Sequence, residues 1–128
     1  MNLVHPLAKV IGRGSAKSGV HHWWMQRLTA IALVPLTLWV VFGLYALAGA
    51  EFSTVRAWVA DPWHAALLIA WVLAMLHHAQ LGLQVVVEDY VHVPWAEITL
   101  HILIKFAAIL GMIVAVLSIA RVVLGGSQ

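Results

Sequence analysis

Histidine is costly in an apolar run, and His77 and His78 lie deep within one, the stretch from about Pro62 to Val87. Such a histidine in hydrocarbon faces a partner or a cofactor rather than lipid. A neutral imidazole nitrogen is a good haem iron ligand, and two such axial ligands make an electron-transfer haem with no open position. One well-placed deep histidine leaves the second ligand to another subunit. On spacing alone, a hydrogen bond from His78 to a neighbouring helix is an equally good account. Gly82 follows His78 by four residues on the same face, and its missing side chain leaves room for a flat ligand or a neighbouring helix. Asp89 comes eleven residues after His78. At about 100° and about 1.5 Å per residue it returns to nearly the same face, ~16 Å along the axis. With Asp89 and Tyr90 at a membrane surface, His78 sits near the middle of a hydrocarbon core about 30 Å thick. His77 is about 100° around the helix from His78 and reads as a packing or hydrogen-bonding residue.

The surface residues suit quinone chemistry. The Tyr90 hydroxyl can donate to a quinone carbonyl, and Asp89 can tune that hydroxyl or relay a proton, since quinone reduction consumes protons. An interfacial tyrosine and a helix-end aspartate are the plainer readings, although an aspartate at a helix C-terminus is electrostatically unfavourable. Arg27, at the start of an earlier apolar run, can clamp a haem propionate or help hold a quinone, because guanidinium pairs bidentately with carboxylate. It can equally be a snorkelling anchor. His21 can donate to the same propionate or be solvated at the interface. Trp23 and Trp24 read as aromatic-belt anchors. Glu88 is expected to be solvated, and His64, His92 and His101 near surfaces without a role. No metal-hydrolase, phosphate-loop or nucleophile constellation accompanies these residues.

The elements that must position them are set by composition. The chain has 128 residues, 63% hydrophobic and 9% charged. That is one membrane domain with no soluble catalytic domain around it. There is no cysteine, hence no disulfide and no iron–sulfur ligation by this chain. The basic first segment is short and tied to membrane spans, so nucleic acid is not a partner. Three transmembrane helices are expected, at about 23–47, 62–87 and 97–124, in an all-α membrane protein. Residues 1–20 are a cytoplasmic N-terminal tail with a short helix near 3–10, and 21–128 form the membrane part. Pro35 predicts a kink in the first span. A surface helix around Ser53 to Ala60, capped by Ser53, lies in the loop after it, and Pro94 opens the third helix. Lys9, Arg13, Lys17, Arg27 and Lys105 fall on one side, Arg56 and Arg121 on the other. This bias places the N-terminus in the cytoplasm and the C-terminus outside, in the periplasm.

Two segments resemble a known family. Gly19-Val20-His21-His22-Trp23-Trp24-Met25-Gln26-Arg27-Leu28-Thr29-Ala30 resembles the start of the first helix, and His78-Ala79-Gln80-Leu81-Gly82 through Asp89-Tyr90 resembles the H-x-x-x-G…D-Y signature, of the hydrophobic membrane anchor (D-type) subunits of bacterial succinate dehydrogenase, respiratory complex II. The resemblance implies that His78 is a haem b ligand, with the partner histidine on a companion cytochrome b (C-type) subunit, and that the chain packs with that subunit into a helical bundle. It implies Tyr90 and Asp89 in the ubiquinone site, and His21 and Arg27, with Gly82, near the haem propionates and pocket. A flavoprotein with FAD would oxidise succinate, and an iron–sulfur subunit would pass electrons to quinone. This chain would not oxidise succinate; it would anchor the soluble subunits and complete the quinone and haem sites, surrounded by lipid, in the bacterial inner membrane. Two other functions are compatible with the sequence. One is the anchor of a related quinol:fumarate reductase. The other is a small haem-free transporter or assembly protein using His77 and His78 as a proton relay or helix glue.

Overall fold

The structure, a computed structural model, describes residues 17–125, so the expected N-terminal helix near 3–10 lies outside the described residues. Four helices account for nearly all of them: α1 (Lys17–Ala46), α2 (Phe52–Ala60), α3 (Pro62–Tyr90) and α4 (Pro94–Gly125). Three are long and apolar enough to cross a membrane, over Val20–Ala46, Pro62–Tyr90 and Pro94–Gly125. With 30, 29 and 32 residues, each helix is roughly 45 Å long. That exceeds a hydrocarbon core of about 30 Å, so each is long enough to cross it.

The chain punctuates these helices by local chemistry. α1 begins at Lys17, well before the expected 23, and runs through Pro35 to Ala46. It ends in a turn where Gly49 takes φ +80 and Ala50 N donates to Leu47 O at 3.0 Å. A left-handed residue of this kind is cheap only for glycine. Asp61 caps α3: its Oδ1 accepts from Trp63 N and His64 N at 3.0 and 3.1 Å, and Pro62 follows at the first helical position. Both groups suit a helix start, one by satisfying orphan N–H groups and the other by lacking one. Pro94 opens α4 as expected. The surface helix exists, but Ser53 does not cap it. Glu51 occupies the cap position without a side-chain bond, and its carbonyl accepts from Thr54 N and Val55 N.

The three spans form a row. α3 packs against both α1 and α4, and the backbones of α1 and α4 do not approach each other. Only Val40, Ala65, Leu81, Val87 and Ala108 among the apolar described residues are buried within the chain. In water such a row would collapse. In lipid, exposed Leu, Val and Ile carry no penalty, and association rests on close packing and interhelical polar contacts instead. Trp71 Nε1 supplies one such contact across α1 and α3, donating to Thr37 Oγ1 at 3.1 Å.

α2 ties together the ends of the spans opposite Tyr90. Arg56 Nη2 donates to Gly125 O at 2.6 Å, satisfying a carbonyl at the end of α4. Trp58 stacks between Trp39 of α1, at 5.3 Å between centroids, and His64 of α3, at 4.4 Å. His64 is therefore not an idle surface residue: its Nδ1 also donates to Trp58 O at 2.9 Å. Gly43 makes room for this stack, since a Cβ there would lie 2.9 Å from Trp58 Cζ2. Gly43→Ala is expected to destabilise the detergent-solubilised protein by about 1–3 kcal/mol through overpacking. A thermal unfolding series read by tryptophan fluorescence checks this, and an unchanged midpoint would mean that Trp58 is not held in the stack.

Candidate functional site

α1 and α3 meet along a polar seam inside the membrane. On α1 the seam is His22, Gln26 and Thr29, spaced four and three residues apart and so on one face. On α3 it is His78 and Gly82, one turn apart. Thr29 is 8% exposed, the sole buried polar or charged residue among those described. Its Oγ1 lies 2.9 Å from His78 Nδ1. The same oxygen is 2.8 Å from Met25 O and 3.0 Å from Gln26 O on its own helix, the back-bonding expected of threonine within a helix.

The second ring nitrogen of His78 is differently placed. Among the described residues, the buried side-chain polar atoms without a hydrogen-bond partner are His22 Nε2, Gln26 Oε1 and His101 Nε2. His78 Nε2 is not one of them and makes no hydrogen bond among the described residues, which leaves it open to a further partner. An imidazole with one nitrogen held and the other open at mid-span has the donor chemistry that a haem iron takes. His78 thus fits that group on its own geometry. No group of three or more His, Cys, Asp or Glu that could hold a bare metal ion occurs among the described residues.

Gly82 faces a helix. A Cβ built on it would lie 3.6 Å from Gln26 Nε2, so the space beside His78 on that side is taken by the α1 side chain. Of the two uses that the missing side chain allowed, a flat ligand or a neighbouring helix, the neighbouring helix occupies this position within the chain.

The other sequence candidates occupy the rim. His21 is exposed on α1. Arg27 is also exposed, with its guanidinium 4.6 Å over the Trp23 ring. That cation–π contact holds the charge at the helix surface. Asp89 and Tyr90 form the exposed end of α3, and Tyr90 is 79% exposed. No basic residue lies in the last turn of α3 to offset Glu88 and Asp89 against the helix dipole. Glu88 is exposed; its Oε1 lies 3.7 Å from His101 Nε2 on α4, beyond hydrogen-bond reach.

The structure brings His78 and Gly82 together with α1, and leaves His21, Arg27, Asp89 and Tyr90 on the outer surface. Sequence reasoning missed Thr29 and Gln26 and left His22 without a role. The signal was available in the polar residues at 22, 26 and 29, which recur at helical spacing inside an otherwise apolar span.

With this geometry in view, comparison with known proteins identifies the chain's relatives. Residues 1–120 match the family model described as the succinate dehydrogenase/fumarate reductase transmembrane subunit. The chain belongs to this family. The hydrophobic membrane anchor subunit of succinate dehydrogenase from Rickettsia bellii is 35% identical over 113 residues, covering 88% of this chain and 90% of that protein. The membrane anchor subunit from Reclinomonas americana is 31% identical over 96 residues, covering 73% and 80%. The hydrophobic membrane anchor subunit from Paracoccus denitrificans is 27% identical over 128 residues, covering 98% and 96%. No solved structure matches the chain.

The seam makes a direct prediction. Gly82→Ala adds a Cβ at ordinary contact distance from Gln26 and is expected to be near neutral. Gly82→Leu must displace Gln26 and is expected to cost about 1–3 kcal/mol. Thermal midpoints of the two variants check this, and the double variant Gly82→Leu/Gln26→Ala should recover part of the loss if the two side chains meet.

Proposed function

We propose that this chain is the membrane anchor of a succinate:ubiquinone oxidoreductase, holding a flavoprotein and an iron–sulfur subunit at the bacterial inner membrane and completing a haem b and a ubiquinone site with a companion cytochrome b subunit. The observation that carries the reading is His78, fixed through Nδ1 to α1 and open at Nε2, in a three-span chain of the succinate dehydrogenase/fumarate reductase transmembrane family.

In this reading His78 Nε2 would ligate the iron of haem b together with a histidine of the cytochrome b subunit. When bound, the haem supplies a one-electron carrier inside the bilayer. His21 and Arg27, exposed on the first half of α1, are assigned to the haem propionates or the quinone head group, and Gly82 to the haem pocket beside His78. Tyr90 donates its hydroxyl proton in a hydrogen bond to a quinone carbonyl. Asp89, beside it at the end of α3, holds and passes on protons taken up from the cytoplasm. FAD and the iron–sulfur clusters belong to the partner subunits in this reading, and this chain has no cysteine to ligate a cluster. The N-terminus is cytoplasmic, which puts the Asp89–Tyr90 end on the side of the soluble subunits. The family includes fumarate reductases as well, but the matched relatives carry succinate dehydrogenase names, which favours succinate oxidation.

Purification of the chain from its native membrane should bring the flavoprotein and iron–sulfur subunits with it, together with a b-type haem of bis-histidine spectrum. His78→Ala is expected to remove or disturb that spectrum, and an unaltered spectrum would move the ligand to another residue. Tyr90→Phe removes one hydrogen bond, worth about 0.5–1.5 kcal/mol, and should lower quinone reduction about 2- to 10-fold. Succinate oxidation with artificial acceptors should remain intact, and equal loss of both activities would remove Tyr90 from the quinone site.

A further inference from the structure

We propose that Thr29 is a positioning residue that fixes the His78 ring as its Nδ1–H tautomer and thereby presents Nε2, with its lone pair, as the iron ligand. The inference rests on the haem reading above and goes beyond it, because it assigns a role on a second helix that neither the ligand histidine nor the quinone residues require.

The assignment follows from proton counting. A threonine hydroxyl has one hydrogen and two lone pairs, and a backbone carbonyl can only accept. Thr29 Oγ1 is within hydrogen-bond distance of three atoms: Met25 O at 2.8 Å, Gln26 O at 3.0 Å and His78 Nδ1 at 2.9 Å. With the proton given to a carbonyl, as in threonine back-bonding within a helix, the hydroxyl offers a lone pair towards His78 and Nδ1 carries the hydrogen. A neutral imidazole has one N–H, so Nε2 is left bare. Thr29 is buried, and its β-branched side chain has few rotamers open to it within a helix. The acceptor is thus held in place with little access for a competing water.

A hydrogen bond from the remote nitrogen of a ligating histidine orients the ring and raises its basicity. A more basic ligand favours ferric over ferrous iron. Loss of the acceptor should therefore raise the midpoint potential of the haem as well as loosen it. A purely space-filling role for Thr29 moves neither quantity in this pattern.

The test uses the intact membrane complex carrying Thr29→Val, which keeps the shape and removes the hydroxyl, and Thr29→Ser, which keeps the hydroxyl. Haem retention against a haem-scavenging apoprotein and the midpoint potential of the b haem are read in each, with His78→Ala alongside. Thr29→Val is expected to weaken retention about 10- to 100-fold and to raise the potential, with Thr29→Ser close to wild type in both. If Thr29→Val does not assemble, Thr29→Ala is read in its place against the same Ser variant. Wild-type retention and potential in Thr29→Val, or a Ser variant as impaired as Val, overturns the role of Thr29. In either case, loss of the haem spectrum in His78→Ala leaves the ligand reading standing. An unaltered haem spectrum in His78→Ala overturns both.

Discussion

An imidazole in the middle of a membrane span cannot leave its polar atoms facing hydrocarbon, and the arrangement of this chain follows from that constraint at His78. One nitrogen is met by Thr29 across the α1–α3 seam. For that contact to form, two helices must meet at a fixed register, and Gly82 faces Gln26 one turn further along. The other nitrogen is left for a partner outside the chain. Polar seams of this kind are costly when unsatisfied and specifying when satisfied. His22 Nε2 and Gln26 Oε1 extend the same seam towards the start of α1, with their hydrogen-bonding capacity unused among the described residues.

The row of three spans suits an anchor more than a self-contained protein. α3 has neighbours on two sides, while α1 and α4 each have one within the membrane. Most apolar surface therefore faces lipid or other subunits. The two ends of the row differ in chemistry. One end carries His21, Arg27, Asp89 and Tyr90, exposed and polar. The other is closed by aromatic stacking of Trp39, Trp58 and His64 and by the Arg56 cap on α4. The second end is a rigid clamp, and the first presents the groups that proton-coupled quinone chemistry and soluble partners would meet.

The sequence made the long-range plan readable because membrane spans are set by length and composition, and the helix starts because Pro62 and Pro94 are local signals. His78 stood out because a histidine inside an apolar run has few explanations. What remained hidden depended on register between helices, which spacing within one helix does not contain. His21 and His22 are adjacent, yet about 100° apart around the axis, and packing turned His22 inwards and His21 out. Thr29 lies in the family-like segment, but its role depends on a partner 49 residues away. His64 read as idle because its stack depends on how α2 folds back across the ends of the spans. Ser53 read as a cap from residue type alone, whereas the chain begins α2 one residue earlier.

The central claim is that His78 uses one nitrogen to hold α1 and the other to bind a porphyrin iron shared with a companion subunit. A density map of the native complex at side-chain resolution addresses it most directly. The expected map has haem iron at His78 Nε2, a histidine of the companion subunit also bound to that iron, and Nδ1 turned to Thr29. A map with the His78 ring against lipid or wholly enclosed by neighbouring helices, with no porphyrin edge beside it, would contradict the account.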